Sequence, residues 1–240
     1  MDAFSNRLLG VVAGLLLGGA AANAADLRVA PVTVEPPAGA RTATLTLIND
    51  EDRPLKAQIR VMRWTVQDGH DVLTPTTDVA ASPPLANLKP KERYLVRIVR
   101  TAKTPPAGEE SYRVLVDEVP DPSNVKPGTV NLVVRQSIPA FFSDAPQRVA
   151  KIDWSLVDDG GKAWLVARNS GNRRLRLADV SLESGGREVY RRPGLVGYVL
   201  AGAETRWPID AALPAGSEIR MKAAADAGTV DVSLGARTGS

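Results

Sequence analysis

The chain has 240 residues, a formal net charge of +3, no cysteine and a single histidine, His70. Without cysteine it is held by no disulfide and offers no thiol nucleophile or thiolate metal site. Its basic residues are scattered among acidic ones, with no Lys/Arg block interleaved with aromatics, a pattern that argues against nucleic-acid binding.

Residues 1–24 read as a targeting segment. Arg7 supplies a positive start, Leu8 to Ala21 is apolar and glycine-rich, and Ala22-Asn23-Ala24 is an A-x-A cleavage site. The apolar run is shorter than the roughly 20 residues a spanning helix needs, so the expected product is a cleaved, exported chain that does not span the membrane. Removing 24 from 240 residues leaves 216, enough for two domains of about 100 residues each.

From there the chain reads as strands. Arg41 to Asn49 alternates, with Ala43, Leu45 and Leu47 on one face and Thr42, Thr44 and Thr46 on the other. Leu55 to Val61 repeats the scheme with Leu55, Ala57, Ile59 and Val61 inward. Tyr94 to Arg100 and Tyr112 to Val119 are two further strands, and turn-forming clusters such as Gln67-Asp-Gly69, Ser82-Pro-Pro84 and Asp121-Pro-Ser123 separate them. Val130 to Pro139 follows, with Val130, Leu132 and Val134 on one face at period two. A polar link near Ser143 to Gln147 sets a boundary, giving an N-terminal domain over 25–145 and a C-terminal domain over 146–240. Beyond it, strands are expected at Arg148 to Trp154, Lys162 to Arg168, Leu175 to Leu182, Glu188 to Tyr190, Glu218 to Ala223 and Thr229 to Leu234. Short strands at such spacing predict an all-β chain of two immunoglobulin-like sandwiches.

The inventory for catalysis is thin. His70 sits beside Asp68 and Asp71 in what reads as a hairpin tip, where such a group is more often surface decoration than a metal site. No G-x-S-x-G elbow or phosphate-binding P-loop is present, and the adjacent acids Asp158-Asp159 and Asp117-Glu118 point to opposite faces of a strand. No enzyme and no cofactor is expected.

Several short segments, in order, resemble the periplasmic chaperones of pilus and fimbrial assembly: Leu47-Ile-Asn49, Ser82-Pro-Pro84, Leu95-Val-Arg-Ile98, Glu110-Ser-Tyr-Arg113 through Pro120, Ser137-Ile-Pro139, Asn169-Ser-Gly-Asn172 and Gly197 to Gly202. The resemblance implies two immunoglobulin-like domains in a boomerang. It implies a periplasmic location, pilus subunits and an outer-membrane usher as partners, and cargo capped by strand donation, with Val130, Leu132 and Val134 as the donated residues. The alternative is that these three face the protein's own core. Family members carry a basic pair that anchors the cargo's terminal carboxylate. Here Thr33 and Pro139 stand at those places, leaving Arg135 and, more weakly, Arg28 as candidate anchors. An Arg and a Glu at places comparable to Arg97 and Glu109 or Glu110 hold the interdomain angle in the family; a pair of exposed residues is the alternative. The competing functional reading is an exported structural or adhesive two-domain sandwich of a surface appendage.

Overall fold

The computed structural model describes residues 27–120, 134–145, 148–214, 218–235 and 238–239. Every regular element among them is a β-strand. The first group comprises β1 (Leu27–Ala30), β2 (Thr42–Asn49), β3 (Leu55–Gln67), β4 (His70–Pro75), β5 (Val79–Ser82), β6 (Leu85–Leu88), β7 (Arg93–Arg100), β8 (Glu110–Val119) and β9 (Arg135–Phe142). They form one sheet in the order β1-β2-β7-β5 and a second in the order β4-β3-β8-β9, with β6 also pairing β3.

The alternation read in the sequence is the packing code of this sandwich. Leu45 and Leu47 of one sheet and Leu55, Ala57 and Ile59 of the other are all buried in one shared core with Val96, Ile98, Val114 and Val116. Polar residues at the intervening positions keep the outer faces wet.

The second group comprises β10 (Ile152–Asp159), β11 (Lys162–Asn169), β12 (Leu175–Ser184), β13 (Arg187–Val199), β14 (Glu204–Ile209), β15 (Ile219–Ala225), β16 (Gly228–Leu234) and β17 (Thr238–Gly239). Their sheets run β14-β11-β10-β17 and β13-β12-β15-β16, so no strand after residue 142 joins a sheet of the first group. Leu156, Leu165, Leu177, Val180, Met221 and Trp207 fill the second core. The strand expected at Arg148 starts later, at Ile152: the backbone of 149–151 is used instead to cap the Asn169 turn. The sequence did not signal β4, β5, β6, β14 or β17; of these, β4, β5, β14 and β17 lie at sheet edges.

Both sandwiches use one buried asparagine to tie a strand end to its neighbouring loops. Asn49 donates to the carbonyls of Arg53 and Lys89, each at 2.8 Å, and accepts from the amide of Glu51. Asn169 donates to the carbonyls of Arg173 at 2.7 Å and Val199 at 3.1 Å and accepts from the amides of Lys151 and Gly171. Gly171 is required in that turn, since a Cβ there would lie 2.2 Å from the Val149 carbonyl oxygen.

Candidate functional site

β9 is the last strand of its sheet and has an outer edge. The Pro139 carbonyl and the Phe141 amide point away from β8 and bond instead to the backbone of Val34, both at 2.9 Å. Antiparallel strands alternate these directions residue by residue, so the backbone groups of Ser137 and Arg135 aim the same way, into the open edge. Val34 closes the edge at Pro139, where a residue without an N–H costs the ladder nothing. The side of Ile138, Ala140 and Phe142 faces the core, and Val134, half-buried, continues their parity. Val130 and Leu132 lie outside the described residues.

The two sequence candidates for an anion anchor are both engaged. Arg135 is exposed and bonds Asp117 of β8, which also takes Arg60 at 2.7 Å. Burial pushes the Asp117 carboxyl up, but the hydrogen bonds from Arg135 and Arg60 outweigh it and hold it below the ordinary value. Arg28 forms a two-point pair with Asp50, its Nη2 contact at 2.9 Å, on the far edge of the other sheet.

The interdomain candidates separate. Glu109 carries the junction: Arg174 gives it a backbone amide at 3.0 Å and a guanidinium at 2.7 Å, and Arg148 adds a contact at 3.2 Å. Glu35 joins through Arg174, through Arg148 at 3.2 Å and through Arg173 at 3.6 Å. Burial pushes the Glu109 carboxyl above its ordinary value despite Arg174. Glu35 is also raised by burial, but Arg174, Arg173 and Arg148 bring it below the usual range. Glu110 turns inward to its own sandwich, bonding Arg100 at 2.9 and 3.0 Å and the Tyr112 hydroxyl at 2.9 Å. Arg97 takes no part: it is exposed in mid-β7, between Thr44 and Ser82 on the neighbouring strands. The alternation of β7 points it to solvent, so Arg97 is corrected out of the interdomain pair.

Above this ionic cluster the sandwiches meet through Trp64 and Phe141 of the first and Tyr198 and Leu200 of the second. Trp64 meets Tyr198 edge-on at 5.4 Å, and Arg174 stacks 3.5 Å over Phe141. The β3–β4 hairpin adds a third tie, with Gly69 accepting the Arg206 amide at 3.4 Å. Arg206, which reads in sequence as one more surface charge, lies 4.7 Å over Trp164. Sequence reasoning named Glu109 but missed these aromatic contacts, although tandem Phe141-Phe142 is a usable sign. One ring serves the core, so the other must be covered from outside.

Among the described residues, the site is the edge strand β9 beside an ionically tied junction between two sandwiches. The chain matches the family model of the pili and flagellar-assembly chaperones, PapD N-terminal domain, over residues 26–149, and it belongs to that family. Among solved structures it is similar to a chain of the CsuC-CsuE chaperone-tip adhesion subunit pre-assembly complex of Acinetobacter baumannii, with 22% identity and a TM-score of 0.68 over 88% of this chain and 98% of that one. It is similar to the E. coli chaperone DraB at 25% identity and a TM-score of 0.56, covering 88% of this chain and 98% of that one. A chain of the Salmonella enterica SafA pilin–SafB chaperone complex gives 20% identity and a TM-score of 0.60 over 91% and 99%. No curated protein sequence matches the chain.

Proposed function

We propose that this chain is a periplasmic chaperone that binds and caps pilus or fimbrial subunits by lending them a strand, then yields them to an outer-membrane usher. The observation that carries the reading is the edge of β9, whose core-facing parity includes Val134; in the sequence, Leu132 and Val130 follow at the same period of two. A guest strand added there gains main-chain hydrogen bonds, while alternate apolar side chains fill its unfinished core. Each such side chain buried stabilises the complex by about 1.5–3 kcal/mol before ordering costs. The leader 1–24 and the division into domains at 145/146 belong to the same reading, as does the absence of a catalytic step. Membership of a chaperone family supports it over a structural or adhesive role.

The test is co-purification of the exported chain with a pilus subunit from a periplasm, as wild type and as Val134→Asp and Leu132→Asp. The expected result is an equimolar complex that either charge abolishes while circular dichroism stays native. A complex indifferent to both substitutions rules out strand donation through this face.

A further inference from the structure

The second sandwich has an edge of its own, and its charge differs from that of β9. β13 is the outermost strand of its sheet, and among the described residues it pairs with no strand but β12. Antiparallel pairing occupies alternate backbone groups, so the others along Arg187 to Leu195 face the open side. Three arginines stand on this stretch within six residues, Arg187, Arg191 and Arg192, against one acid, Glu188. Glu188 is taken by Arg191 at 3.0 Å, and among the described residues neither Arg187 nor Arg192 has an ion pair. Their cross-strand neighbours do not answer them: Arg187 lies opposite Ser184, Arg191 opposite Ser181 and Arg192 opposite Val180. The two acids of β12 are engaged elsewhere. Glu183 holds Lys222 of β15 at 2.8 Å, and Asp179 accepts the Gly194 amide at 2.7 Å. Leu195, 52% exposed, adds an apolar surface at the end of the same stretch.

These features choose among occupants. A second copy of the chain would bring the same three arginines to the edge and be repelled, and a basic strand fares no better. An acidic strand gains main-chain hydrogen bonds from the open backbone and ion pairs from Arg187 and Arg192, and it breaks no existing pair. Arginine suits the task, since its planar fork donates two parallel hydrogen bonds to one carboxylate and stays charged at every working pH. We propose that the outer edge of β13 is a docking site for an extended acidic segment of a partner protein. That segment alternates Asp or Glu with apolar residues and adds to the second sandwich as a further strand. The site lies in the other sandwich from β9 and stands independently of the chaperone reading.

The test uses the full exported chain, with the backbone amides of β13 followed by NMR. The first titrant is a short capped Val/Glu-alternating peptide, and the second is its Val/Lys counterpart. A Gly/Glu peptide of equal charge and a Val/Glu peptide N-methylated at alternate residues serve as further probes. The expected result is a saturable shift centred on residues 187–195 that weakens as salt rises. Val/Glu should bind about 10-fold tighter than Val/Lys, the scale that two or three exposed ion pairs supply. Arg187→Glu should remove most of that preference and Arg187→Lys retain most of it. Unmoved β13 resonances, or an equal response to Val/Lys, overturn the proposal without recourse to a variant. Equal binding of the Gly/Glu or the N-methylated peptide also overturns it, because neither can add a strand. Shifts confined to β9 overturn the β13 site and leave the chaperone reading untouched.

Discussion

Glu109 of the first sandwich takes both the backbone amide and the guanidinium of Arg174 in the second, at 3.0 and 2.7 Å, with its own side chain fully buried. Two rigid bodies are thereby fixed by a carboxylate that neither could bury alone. Removing one member of such a pair leaves an uncompensated buried charge. Glu109→Ala should lower stability by about 3–5 kcal/mol, read by denaturant unfolding. Small-angle scattering of the same variant should show a wider spread of domain angles; an unchanged profile and unchanged midpoint would refute the locking role.

Acid should weaken two ion-paired carboxylates in a defined window, Glu35 at the junction and Asp117 within the first sandwich. Glu35 and Asp117 both sit below their ordinary values in the folded protein. Their stabilising contribution is therefore complete above the unfolded carboxylate range, about 4, and is lost as pH falls through their folded values. Glu109, raised by burial, acts with the opposite sign and offsets part of the loss. A stability profile measured from neutral to acid pH should fall below about pH 4, and it should fall less steeply in Glu35→Gln.

Gly69 at the β3–β4 tip has φ +76° and would place a Cβ 2.5 Å from Arg206 Cγ. Gly69→Ala should destabilise by about 1–2 kcal/mol through the left-handed backbone alone. The side-chain clash is with a flexible arm, so Arg206→Ala in the same chain should recover little of that loss in thermal denaturation.

Asn49 and Asn169 make corresponding turns in the two sandwiches, each buried and each saturating its amide with backbone partners. Replacement of either by Ala strands buried carbonyls and should cost about 1–3 kcal/mol each. Because the sites lie in different domains, the double variant should show the sum of the two in denaturant unfolding.

The strands were legible because half-buried sheets enforce a period of two, and Leu45, Leu47, Leu55, Ala57 and Ile59 obey it without exception. The short edges β5 and β6, four residues each, carry too little periodicity to declare themselves. The other members of the interdomain lock were opaque for a different reason. Glu35 and Arg174 are 139 positions apart, and no local pattern links residues that only tertiary folding brings together. Arg97 and Arg135 drew notice as charges within strand patterns, yet one faces solvent and the other pairs across the sheet with Asp117.

An unpaired strand edge is a hazard in any crowded compartment, since it welcomes a second copy of itself as readily as a guest. Here the exposed Arg135 stands on that edge, and an approaching duplicate must bring its own Arg135 toward the first. The resulting repulsion is weak at range and fades as ions screen it over about 10 Å at 0.1 M salt. The protein should thus stay dispersed in dilute buffer and begin to self-associate as salt rises, so storage conditions govern whether this edge remains available.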